Sequence, residues 1–135
     1  MTEGELNASS GVKAEAAAAG IMYELDFATG ELKWNDALYS VMHYPRTEPL
    51  NRVEWWVDHI HPEDAMIINQ AMDKLNDAKV PNWTVEYRFR AGDGEYVYVR
   101  DRASIIREPD GRPTQLIGTL TLNPNKSRGI AQDAP

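Results

Sequence analysis

The sequence predicts an α+β fold, with one five-stranded antiparallel sheet, helices on one face of it and a flanking helix at the N-terminus. Three observations lead there. Short runs that alternate apolar and polar residues, separated by turn signals, occur early and late in the chain. A stretch of helical character lies between them. The resulting order, β-β-α-α-α-β-β-β, lets the helices bury only one face of the sheet.

The elements follow in order. Residues 1–10, "MTEGELNASS", are polar and acidic and read as a disordered tail, not a secretory signal. Residues 11–20 read as a short Ala-rich helix that Ser9 or Ser10 caps and Gly20 stops. Its apolar face, Val12, Ala16 and Ala19, is thin, so this helix must lean on another surface. "IMYELDF" places Ile21, Tyr23, Leu25 and Phe27 on one side of a strand. "ATGEL" turns the chain, and "ELKW" completes a hairpin.

"NDALYSVMHY" predicts a short helix capped by Asn35 or Asp36, and "PRTEPLNR" a loop. From Val53 to Ala78 the chain reads as mostly helical, broken once at "HIHP". Then "NWTVEYRFR" sets Trp83, Val85, Tyr87 and Phe89 against Thr84, Glu86, Arg88 and Arg90. "AGDG" is a hairpin turn, "EYVYVRDRASIIRE" a long strand, "PDGRP" another turn and "TQLIGTLTL" a last strand. Residues 123–135 mix Pro, Gly and Asn without apolar periodicity and read as a flexible tail.

Composition narrows the function. A chain of 135 residues, 42% of them hydrophobic, fits one domain with a true core. The absence of cysteine excludes disulfides, thiolate metal sites and a thiol nucleophile. A net charge of -7 argues against nucleic-acid binding, which needs a basic footprint. No apolar run approaches the ~20 residues of a membrane span, so a soluble cytoplasmic protein is expected. No Ser-His-Asp order, Gly-rich phosphate loop or persuasive carboxylate pair is present, so no enzyme is expected.

The stretch "WWVDHIHPEDAM" concentrates histidines and acids, and it admits two readings. His59, His61 and Asp64 can be taken as metal ligands, but no fourth ligand of obvious kind accompanies them. The preferred reading is the start of a helix. Pro62 suits its first position, and Glu63 and Asp64 suit its positive end. Asp64 is placed to reach back to the His61 amide as in a capping box, while Trp55, Trp56 and Ile60 anchor the preceding turn to the core.

These segments resemble a PAS domain of the bacterial PAS/PAC sensor type. The resemblance spans roughly Ala17 to Leu122. It is carried by "GIMYELDFATGELKWNDALY", "IHPED" and "EYRFRAGDGEYVYVRDRASIIREPDGRPTQLIG". It implies a PAS domain over residues 21–122. The family's members are sensory and protein-interaction modules, usually dimeric and non-enzymatic, attached to sensor histidine kinases or cyclic-dinucleotide enzymes. Two departures are visible. Tyr98 stands where many members have Trp, and the Asp-Ile-Thr triplet with which the family often ends its last strand, leading into a signalling helix, is absent. Pro124 opposes a continuous helix there. The chain is thus a free-standing PAS protein or a fragment, and its tail inclines the expectation to the first.

The resemblance also locates candidate sites. In a PAS fold the sheet's inner face opposes the helices like a cupped hand. Alternation assigns Val85, Tyr87, Phe89, Val97, Val99, Gly118 and Leu120 to that face, with Tyr23, Leu25, Leu38, Met42, Ile60, Ile68 and Met72 closing it. The space is either a filled core or a pocket for a small ligand. Asp101 shares the face with Val97, Val99 and Ala103; it lies at the sheet's edge near an amide or arginine, or it marks the polar end of a pocket.

No cofactor is expected. Flavin-binding relatives use a cysteine and inward-facing amides, whereas this chain has no cysteine and has Phe89, Val99 and Leu120 at the matching positions. Haem-binding relatives often use a histidine on the long helix, and Pro62 to Lys79 contains none. On the outer face, Glu86, Arg88, Arg90, Arg100 and Arg102 accompany Tyr96, Tyr98, Ile117 and Thr119. That face is a solvated ion-pair ladder or a homodimer surface, its apolar part formed by Val12, Ala16, Ala19, Tyr98 and Ile117. Two functions are carried forward. One is a dimeric signalling module with a small-molecule ligand; the other is an adaptor without a ligand that regulates a kinase or other signalling protein by direct binding.

Overall fold

The computed structural model describes residues 20–123. The tail expected at 1–10, the helix expected over 11–20 except Gly20, and the tail expected over 123–135 except Asn123 lie outside the described residues. Strands β1 (Gly20–Asp26) and β2 (Leu32–Trp34) form the first hairpin. Helices α1 (Ala37–Met42), α2 (Val53–Asp58) and α3 (Ala65–Asp73) make the crossover, with single 3-10 turns at Pro62–Asp64 and Lys74–Asn76. Strands β3 (Asn82–Arg90), β4 (Tyr96–Arg107) and β5 (Pro113–Leu122) form the meander. The sheet order is β2-β1-β5-β4-β3, antiparallel throughout.

Alternation produces a two-sided sheet. Trp83, Val85, Tyr87 and Phe89 are buried along β3, and Val97, Val99, Asp101, Ala103 and Ile105 along β4. Their partners on the other parity face outward, as period two requires. Ile21, Leu38, Met42, Phe89, Val99 and Leu120 sit at the centre of the core with almost no exposed surface. Each such side chain contributes roughly 1.5–3 kcal/mol by leaving water.

The hairpins use the residues their turns demand. Gly94 adopts φ +90° between β3 and β4, a conformation that a side chain resists. Gly92 serves a different need. Its amide donates to the Met42 carbonyl, and a Cβ there would lie 2.1 Å from the His43 carbonyl oxygen. The β3–β4 turn therefore seats directly on the end of α1.

Both sheet edges are partly covered, which limits open-edge pairing. Beside β3, His61 donates its amide to the Arg88 carbonyl, and Arg90 donates to the His59 carbonyl. At the β2 edge, Leu32 donates to the Asn51 carbonyl and Val53 to Gly30.

Three local expectations are corrected. Neither Asn35 nor Asp36 caps α1 through its side chain. The Asn35 side-chain oxygen accepts from the Met22 amide, and Asp36 ion-pairs with Arg46. Gly20 opens β1, paired with Thr121, where the sequence suggested the end of a helix. Asp64 does not close a capping box. His61 Nδ1 accepts from the Glu63 amide, and Asp64 turns to Arg88. Arg88 is a stronger attraction than an amide, since its guanidinium offers a charged, forked donor.

Candidate functional site

The histidine–acid stretch resolves into separate duties. Asp64, buried at the foot of α3, accepts from the Arg88 amide, from Nε at 3.0 Å and from the far guanidinium nitrogen at 2.7 Å. Burial pushes the Asp64 carboxyl up, but these bonds outweigh it and hold the group below its ordinary value. His59 lies against the Trp55 ring, and its Nδ1 is 2.8 Å from the Trp55 carbonyl. Burial lowers its basicity. His61 packs on Tyr96. The three side chains hold the helix start to the sheet and do not converge on one point.

The unusual chemistry lies on the inner face. Register pairs Asp101 with Val85 on one side and Leu120 on the other, so a carboxylate sits among aliphatic neighbours, well inside the sheet. It is 1% exposed. Two phenols meet it. Tyr23 donates to one oxygen at 2.6 Å, from β1, and Tyr87 to the other at 2.8 Å, from β3. Gly118 lies between β1 and β4 as the partner of both Tyr23 and Ala103. A Cβ there would lie 2.2 Å from the Arg102 carbonyl oxygen and 2.6 Å from the Ala103 Cβ, so the missing side chain lets β4 and β5 pack closely. Trp56 on α2 donates its indole N–H to the Tyr87 hydroxyl at 2.8 Å, so the chain of bonds ties the helical layer to the sheet.

Burial raises the Asp101 carboxyl to about 6, against the pull of the Tyr23, Tyr87 and Trp83 donors. Burial, followed by the carboxylate's charge, keeps both phenols far above their usual range, so they remain donors. Trp83 adds an indole N–H that is buried and leans toward Asp101 without completing a hydrogen bond. The groups acting on Asp101 are neutral donors; no cation among the described residues balances it.

Beside this carboxylate is a cavity of about 230 Å³. Tyr23, Leu25, Met72 and Asp101, all expected at a cavity, line it. The other expected residues are buried but pack solidly away from it: Leu38, Met42, Ile60, Ile68, Val85, Tyr87, Phe89, Val97, Val99 and Leu120. The open space lies instead toward the first hairpin, where sequence reasoning overlooked Trp34, Val53, Trp56, Leu75, Trp83 and Leu116. Some signal existed. Trp83 extends the Val85–Tyr87–Phe89 alternation by one step, and Leu116 extends Gly118–Leu120. Of the expected dimer surface, Val12, Ala16 and Ala19 lie outside the described residues. Tyr98 is half-buried, and Ile117 is 42% exposed on the outer face.

Comparison with known proteins agrees with this architecture. A family model described as PAS fold matches residues 31–120. No curated protein matches the chain. Among solved structures, the chain is similar to the N-terminal domain of a diguanylate cyclase with PAS/PAC sensor from Marinobacter aquaeolei. The identity is 24% and the TM-score 0.67, covering 76% of this chain and 94% of that one. A sensory box histidine kinase/response regulator from Burkholderia thailandensis is 19% identical with a TM-score of 0.69, covering 82% of each chain. The PAS-B domain of Drosophila melanogaster Cycle with bound ethylene glycol is 17% identical with a TM-score of 0.61, covering 76% of this chain and 99% of that one.

Proposed function

The chain belongs to the PAS family, and from that membership we propose that it is a non-catalytic sensory module that reads a small molecule in its interior cavity and acts as a dimer. PAS domains are sensory modules of signalling proteins. The observation that carries the ligand reading is the cavity beside Asp101. It is bordered by the first hairpin, α2, α3 and the inner sheet face, is partly open to solvent, and has a polar group fixed at its wall. Apolar walls with few placed polar groups are how small-molecule sites are built.

The same bonds offer a route for a signal. A ligand that displaces Tyr23 or Trp56 alters the chain from Trp56 through Tyr87 to Asp101, and so the fit of α2 on the sheet. The exposed Ile117 and the half-buried Tyr98 supply apolar area for the dimer on the outer face. The partner is a histidine kinase or cyclic-dinucleotide enzyme, fused or separate, in the cytoplasm. Among the described residues no helix is long and apolar enough to cross a membrane.

Native mass spectrometry of protein purified from its host, with light scattering at micromolar concentration, tests the reading. A dimer carrying a stoichiometric small molecule is expected. A ligand-free protein that no small molecule stabilises against heat would leave the adaptor reading, and a monomer would remove the dimer.

A further inference from the structure

We propose that the cavity takes a small alkylammonium cation, with the Asp101 carboxylate as its counter-charge and the surrounding aromatic rings as its cage. This rests on the reading of the cavity as a ligand site and adds the class of ligand.

Charge is the first argument. Asp101 is held by two phenols, with the Trp83 indole N–H leaning on it, and all three are neutral. They solvate the carboxylate but do not neutralise it. A buried charge is costly until an opposite charge reaches it. Each carboxylate oxygen accepts one phenolic hydrogen, so each keeps capacity for a further donor.

The walls give the second argument. Phe27, Tyr23, Trp34, Trp56 and Trp83 all line the cavity. Tyr23 and Trp34 are tilted at 5.6 Å between ring centres, and Trp56 and Trp83 at 6.3 Å, so the rings come from several directions. Electron-rich rings around a desolvated carboxylate favour a cation, and aromatic cages are a known solution for alkylated ammonium groups. The remaining walls are aliphatic and suit a short hydrocarbon body.

Size is the third. At about 230 Å³ the space is smaller than the ~300–1,000 Å³ of drug-sized pockets and suits a group the size of a small alkylammonium. The rim does not oppose a cation. Asp26 lies there as a second carboxylate, its Oδ1 accepting from the Ala28 and Thr29 amides. Arg52 packs over Gly30 and is paired with Glu54 at 3.5 Å.

The test is titration calorimetry of the full chain with choline and with the neutral alcohol in which carbon replaces the choline nitrogen. Tryptophan fluorescence serves as a second readout. Choline should bind saturably, and the neutral alcohol should bind at least about tenfold more weakly. Asp101→Asn should erase that preference by weakening choline alone. Trp34→Leu, at a half-buried position where only the indole hydrogen bond to the Leu50 carbonyl is given up, should also weaken choline more than the alcohol. Equal or tighter binding of the neutral alcohol would overturn the cation class and leave the ligand site standing. Choline binding that both variants leave intact would place it elsewhere and overturn the proposal. If neither compound binds at millimolar concentration while other small molecules stabilise the protein, the class alone fails. If nothing binds, the site reading fails with it.

Discussion

Asp101→Asn should change how stability depends on pH more than it changes stability at low pH. The folded carboxyl titrates at about 6, against an ordinary value of 3.8. The folded state therefore binds more protons than the unfolded chain between those values. By linkage, the parent loses stability as pH rises through that window and then levels off. The difference between those two values corresponds to roughly 3 kcal/mol. Asparagine matches the protonated acid in shape and does not titrate. Urea unfolding, followed by the fluorescence of the four tryptophans, should show the variant gaining on the parent by up to roughly 3 kcal/mol between about pH 4 and about pH 7.5. Other carboxyls titrate in both proteins and cancel in the difference. A gap that stays constant, or that moves against the variant as pH rises, would refute the reasoning. It would mean that the Tyr23 and Tyr87 hydrogen bonds outweigh burial.

Two further perturbations probe the frame. Asp64→Asn should lower stability at neutral pH by about 3 kcal/mol, because it leaves the Arg88 guanidinium only the exposed Glu63 carboxylate at 3.5 Å; an unchanged urea midpoint would refute this. Since the folded Asp64 value is lowered, that stability is present at neutral pH and should disappear as pH falls through it, closing the gap to the variant. Arg107→Met should remove hydrogen bonds to the carbonyls of Leu75, Asp77, Val80 and Gly111. Global stability should fall by roughly 2 kcal/mol, and amide exchange across 75–80 should accelerate; unchanged exchange would show that the loop holds without it.

The strands were easy to read because each carries its own alternation. "NWTVEYRFR" coincides with β3, residue for residue. The helix caps were harder. Asn35, Asp36 and Asp64 have the right residue types at the right positions, yet each takes a partner distant in sequence: Met22, Arg46 and Arg88. Capping competes with any tertiary donor that comes within reach, and a charged fork wins over an amide. The cavity residues show the same limit. Period two placed Phe89, Val99 and Leu120 on the inner face, but it does not say which inner residues touch one another and which face a void.

By itself the sequence determined the fold class, the order and nearly the ends of the strands, the family, and the inward parity of Asp101. These follow from local periodicity and from motifs contained in single segments. Only the tertiary structure decided what Asp101 meets. Tyr23 is 78 residues away in sequence and reaches it from β1, Tyr87 reaches it from β3, and Trp56 braces Tyr87 from the helical layer. The position of the open space was decided there too. Voids arise from the summed fit of side chains across layers, and no single segment encodes that sum.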